Sequence, residues 1–161
     1  MRTKVFTLTQ LMMLFRSVVA VLISAVGLLA VLPGTAAAQV DPIVRTQSGK
    51  MRCIVSANDV SHGGGPLVAC RARFTNAPIW PQSTLNERMN IAVVRGNGAF
   101  KWEIGDIPGT TEVMAQDIVM TYGKTYRLNG WTIEPAFDGT RFTYDRTGHG
   151  MFASIDRVYS F

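Results

Sequence analysis

Residues able to ligate a metal or run redox chemistry are scarce in this chain. Its 161 residues include two histidines and two cysteines. A zinc site takes three or four His, Cys or carboxylate ligands at suitable spacing, and a calcium loop takes several Asp, Asn or Glu in a short window. Neither pattern occurs, so no metal and no cofactor is expected. The cysteines do not form a Cys-x-x-Cys pair, which argues against a redox-active dithiol. Helix signals are also sparse: no window of a dozen residues carries a clean 3.6-residue apolar period bounded by caps. Long like-charge runs are missing, and 47% of the residues are hydrophobic and 9% aromatic, which excludes a disordered chain.

Charge is missing from one stretch above all. Arg2, Lys4 and Arg16 are the only charges before Asp41. Residues 17–32 read SVVAVLISAVGLLAVL, Pro33 and Gly34 break any helix, and Ala36 and Ala38 stand at the spacing of a signal-peptidase site. Residues 1–38 are therefore expected to be a signal peptide that forms a short helix. Residues 39–161 are expected to be a single secreted domain, outside the cell or in its envelope. The apolar run is short of the ~20 residues that span a bilayer, so no span is expected after cleavage. The leader holds three of the 16 basic residues and none of the 11 acidic ones, which leaves 13 against 11, a net +2. Such a balance, with the basic residues scattered, leaves no footprint for nucleic acid.

Cys53 and Cys70 both lie in the exported part, and two cysteines there suggest one disulfide. It would close a loop worth about 3 kcal/mol in the chain-entropy model. Gly and Pro punctuate short β-rich runs at 51–57, 67–74, 90–95, 99–104, 131–137, 140–145, 150–155 and 157–161. Gly96-Asn97-Gly98 and Asp138-Gly139 are hairpin signals. Trp131, Ile133 and Phe137 alternate with Thr132 and Glu134, and Phe142 and Tyr144 alternate with Arg141, Thr143 and Asp145, as in a sheet with one buried face. Residues 113–120 read as a helical turn or a strand, and 77–88 as a long loop with a short helix near 85–89. The fold class is all-β: a small antiparallel sandwich or partly open barrel of about seven to nine strands.

Candidate chemistry is thin. His62-Gly63-Gly64-Gly65 looks like the oxyanion-hole tetrapeptide of lipases and esterases, yet no Gly-x-Ser-x-Gly follows, and the segment reads as a turn. His149 has Asp145 four residues before it and Ser154 five after, but sequence neighbours do not make a triad. Its flanking glycines suit a tight turn pinned by the imidazole. Trp102 and Trp131 are expected in the core. Trp80, between Pro78 and Pro81, is the better pointer to a binding surface. No catalytic residue is assigned; Trp80 and His149 are the candidate binding or structural residues.

Several segments together resemble an uncharacterised family of small secreted actinobacterial proteins, mycobacterial ones included. They are Ser48-Gly49-Lys50-Met51-Arg52-Cys53, then Cys70, Thr121-Tyr122-Gly123-Lys124, Asp138 to Asp145, and Gly148-His149-Gly150-Met151-Phe152-Ala153-Ser154. Many relatives carry further cysteines near the positions of Trp102, Thr132 and Phe142, and this chain has none there. The resemblance implies secretion and a compact disulfide-containing β domain, and nothing catalytic. The expected function is a non-enzymatic binding or structural module whose partner is an extracellular protein, glycan or lipid. The alternatives are a small hydrolase using His149, or an inhibitor that presents the 78–81 loop to a protease.

Overall fold

The computed structural model describes residues 40–161, so the expected leader at 1–38 lies outside the described residues. The described chain is almost entirely strand and turn. Its elements are β1 (Ile43–Thr46), β2 (Arg52–Ser56), a 3₁₀ turn (Val60–His62), β3 (Leu67–Arg71), β4 (Ile91–Arg95) and β5 (Phe100–Glu103). A single helical turn α1 (Thr111–Met114) follows, then β6 (Ile118–Met120), β7 (Tyr126–Leu128), β8 (Trp131–Ala136), β9 (Gly139–Tyr144), β10 (Gly150–Ala153) and β11 (Val158–Ser160). Two sheets form, in the orders β5-β4-β3-β2-β1-β6 and β11-β10-β9-β8-β7. Every pairing is antiparallel except β1 with β6. The architecture is the expected all-β sandwich, with more and shorter strands than the sequence suggested.

The inner faces follow from strand alternation. One row crosses the first sheet through Val44, Cys53, Cys70, Ala92 and Trp102, and the next runs through Val55, Val68, Val94 and Phe100. They face Trp131, Ile133, Phe142 and Met151 of the second sheet in one continuous core. The Trp131 ring is fully buried, and its Nε1 donates to the Ser56 carbonyl at 3.3 Å, so the largest core side chain also ties the sheets together. Burying one such side chain contributes roughly 1.5–3 kcal/mol. Trp102 is half-buried, edge-on to Phe74 and Phe100. Cys53 and Cys70 sit directly opposite on β2 and β3 and form the disulfide. Such a bond is compatible with an oxidising, extracellular setting.

Two local expectations need correction, and a third resolves into both of its alternatives. Phe137 does not continue the buried alternation of 131–137: Pro135 takes the third inward position, the chain turns after Ala136, and Phe137 is 93% exposed. No helix forms near 85–89; that loop is held by an isolated bridge between Ile79 and Arg88, with Arg88 Nη1 donating to the Ala77 carbonyl at 2.5 Å. Residues 113–120 hold both alternatives in succession, because Thr110 caps α1 and Asp117 then leads into β6.

The outer face of the first sheet is also tied down. Arg52 makes a two-pronged contact with buried Asp117, Nε to Oδ2 at 2.6 Å and Nη2 to Oδ1 at 2.9 Å, and donates to the Ile107 carbonyl at 2.8 Å. That fork anchors the 104–117 segment. Across the same face, the 57–66 loop reaches β5: His62 Nδ1 lies 2.9 Å from Asp59 Oδ2, and Nε2 lies 3.4 Å from Glu103 Oε2. Burial pushes the Asp59 carboxyl up, but hydrogen bonds from Ser61 and from the His62 ring and backbone outweigh it and hold it below the usual range. A carboxyl lowered in the folded state stabilises that state above its unfolded range, and the gain is lost as pH falls through the folded value. Acidification below about pH 4 is therefore expected to free this loop before the sheets melt. Hydrogen exchange should show early loss of protection at 59–65 with β-sheet dichroism unchanged. Simultaneous loss of both would contradict the clasp.

Candidate functional site

The residues singled out from the sequence do not converge. His149 sits in the turn between β9 and β10, with its Nδ1 3.2 Å from the Phe161 carbonyl oxygen. The ring covers Gly98, where an added Cβ would lie 3.0 Å from it. Asp145 instead accepts from the Thr132 hydroxyl at 2.5 Å, and Ser154 bonds to the Arg157 backbone. Trp80 is half-buried, with its backbone N–H on the Glu87 carbonyl and its carbonyl accepting from Ser83. The glycines after His62 all have positive φ, and their N–H groups are used within the loop, on Val60, Asp59 and Asn58. That is the turn read from the sequence. Among the described residues, no group of three or more His, Cys, Asp or Glu could hold a metal ion.

A site that the sequence did not reveal lies at the other end of the sandwich from His149. The β1–β2 turn, the 121–124 turn, the β8–β9 turn and the β10–β11 turn surround a half-open cleft of about 880 Å³. This lies within the range of small-ligand sites, about 300–1,000 Å³. The walls are braced. Tyr122 N donates to Gln47 at 3.2 Å and Gly123 N to the Pro135 carbonyl at 2.8 Å. Thr75 N donates to the Ile155 carbonyl at 2.8 Å, which fixes the β10–β11 turn from behind.

The lining is mixed in character. At the rim, the exposed Phe137 ring meets Tyr122 edge-on, with centroids 6.2 Å apart. Lys50 and Arg157 bring two positive charges; Asp138 and Asp156 bring two negative ones. Asp156 accepts from the Thr75 hydroxyl at 3.2 Å, whereas Lys50 and Asp138 make no ion pair or side-chain hydrogen bond among the described residues. Arg157 lies over the Phe152 ring at 5.2 Å.

Thr140 lines the same cleft from the inward face of β9. It is 1% exposed, and its Oγ1 has no hydrogen-bond partner among the described residues. Leaving a buried hydroxyl unpaired costs about 1–3 kcal/mol. Nearby buried Thr46 shows the usual solution, with its Oγ1 shared between the Met51 N–H at 3.1 Å and the Met51 carbonyl at 3.3 Å. Among the described residues, Thr140 is the one buried cleft hydroxyl without a protein partner.

The cleft thus combines an aromatic edge, a buried hydroxyl, and donors and acceptors of both charges around its mouth. No model of a known protein family matches the chain, and neither a curated protein nor a solved structure does. Among the described residues, no helix is long and apolar enough to cross a membrane.

Proposed function

We propose that the protein is a non-enzymatic binding module of the cell exterior, secreted or held in the envelope, and that the end cleft is its binding site. The observation that carries this reading is the pairing of an exposed aromatic rim, Phe137, with a buried hydroxyl lacking a partner, Thr140, in one cleft. Both features cost a free protein something, and both are met when a ligand fills the cleft. The disulfide supports placement outside the cell, as does the apolar leader with its Ala-x-Ala site. The resemblance of residues 148–154 to secreted actinobacterial proteins supports it further.

Native mass spectrometry of the protein recovered from its host's culture medium and envelope tests this. The expected species begins at Gln39, is two hydrogens lighter before reduction, and carries additional non-covalent mass that is lost from a Phe137→Ala variant. A full-length species confined to the membrane fraction would overturn the export reading. Protein of the bare processed mass, identical in both variants, would count against the cleft.

A further inference from the structure

The end cleft also indicates what class of ligand it takes, an inference that rests on the reading of the cleft as a binding site. We propose that its ligand is a neutral saccharide, with the exposed Phe137 ring against a sugar face and the Thr140 hydroxyl bonded to a sugar hydroxyl.

Four observations select this class. First, charge at the cleft is balanced, Lys50 and Arg157 against Asp138 and Asp156. A site for an anion such as phosphate concentrates one sign and draws its ligand by long-range attraction; here the two signs cancel. Second, both signs stand within one mouth, and the Lys50 ammonium and Asp138 carboxylate make no ion pair or hydrogen bond among the described residues. A sugar hydroxyl donates and accepts, so adjacent hydroxyls can use a cation and a carboxylate together. Third, the cleft is half-open and carries hydroxyls from Thr46, Ser48, Thr140 and Ser154. An acyl chain needs a closed, dry, apolar pocket, and hydrocarbon would leave the Thr140 hydroxyl without a partner and desolvate the charged side chains at the mouth. Fourth, Phe137 is 93% exposed beside Tyr122, where it offers an electron-rich face to the C–H groups of a sugar ring.

The unpaired Thr140 Oγ1 separates this from a generic polar groove. Being buried, it is all but closed to bulk water in the free protein, and a ligand hydroxyl that parts the cleft floor would bring it a donor and an acceptor at once. Hydroxyl recognition by a buried polar group is also the most selective device a small site can use, because a ligand lacking the hydroxyl leaves that group stranded.

The test is a titration of the isotope-labelled protein, followed by amide chemical shifts. The probes are soluble gluco-, manno-, galacto- and arabino-oligosaccharides, with inorganic phosphate and palmitate as competing classes. At least one neutral oligosaccharide is expected to shift the amides of residues 137–140 and 154–157. Phe137→Ala and Thr140→Val are each expected to weaken that binding about tenfold, and Thr140→Ser to restore it. If phosphate or palmitate moves these amides and no sugar does, the saccharide assignment falls while the cleft stands as a binding site. If no probe moves them, both fall. Sugar-induced shifts confined to other faces, or cleft binding that neither Phe137→Ala nor Thr140→Val changes, would also overturn the assignment.

Discussion

Gly150→Ala is expected to abolish the folded state. A Cβ at this position would lie 1.8 Å from the Phe142 carbonyl oxygen, and 2.9 Å from its carbonyl carbon. Both are backbone atoms, so no side-chain rotation relieves the clash; β9 and β10 would have to separate. Gly150 pairs with Thr143 at the start of a four-residue register, and exchanges reciprocal 3.0 Å backbone hydrogen bonds with Phe161. Separation would therefore loosen three segments and uncover Met151, which is fully buried. A loss above about 4 kcal/mol is expected, a large share of the ~5–15 kcal/mol that holds a typical domain. Urea unfolding monitored by far-UV dichroism checks this. A variant with the parental midpoint would mean that β10 is not seated against β9 as described.

Removing the disulfide is the second large effect. Cys53 and Cys70 are fully buried and 17 positions apart, and their Cα atoms are 4.0 Å apart across β2 and β3. Cross-linking a loop of this size restricts the unfolded chain by about 3 kcal/mol. The Cys53→Ala/Cys70→Ala double variant should melt on the order of 10 °C lower than the oxidised parent. Because both sulfurs lie within the core, an external reductant should act on the native protein only as it unfolds. Equal melting temperatures would show that the bond adds nothing to the fold's stability.

The parts of the fold legible in the sequence are those with local chemistry. Gly98, at φ 86°, closes the β4–β5 turn, and Asp138-Gly139 closes β8–β9, as their turn residues indicate. The alternation of Phe142 and Tyr144 against Arg141 and Thr143 survives in β9. The Gly148-His149-Gly150 segment resolves into structural roles: a left-handed turn at Gly148, a ring on the Phe161 carbonyl, and the close approach at Gly150.

What stayed hidden is non-local. β6 and β7 have three residues each, too few to display a period of two. The parallel pairing of Val44 with Ile118 joins segments far apart in the chain and leaves no local signature. The cleft was invisible for the same reason, since its walls come from four separate turns. Phe137 held the one clue. A bulky aromatic beside Asp-Gly stands at a turn, where no core can receive it, even though its spacing continues the apolar alternation of 131–137. Thr140, by contrast, reads like any polar start to a strand; only its burial without a partner marks it.

The most direct test of the claim that the cleft keeps a hydroxyl for a ligand is the melting temperature of Thr140→Val, measured by calorimetry without ligand. Valine keeps the branched shape and removes the hydroxyl. If Oγ1 is held unpaired in the free protein, its loss relieves a buried polar group, and Thr140→Val should melt several degrees above the parent. A variant that melts clearly below the parent would show that the hydroxyl serves the fold itself, and would contradict its assignment to a ligand.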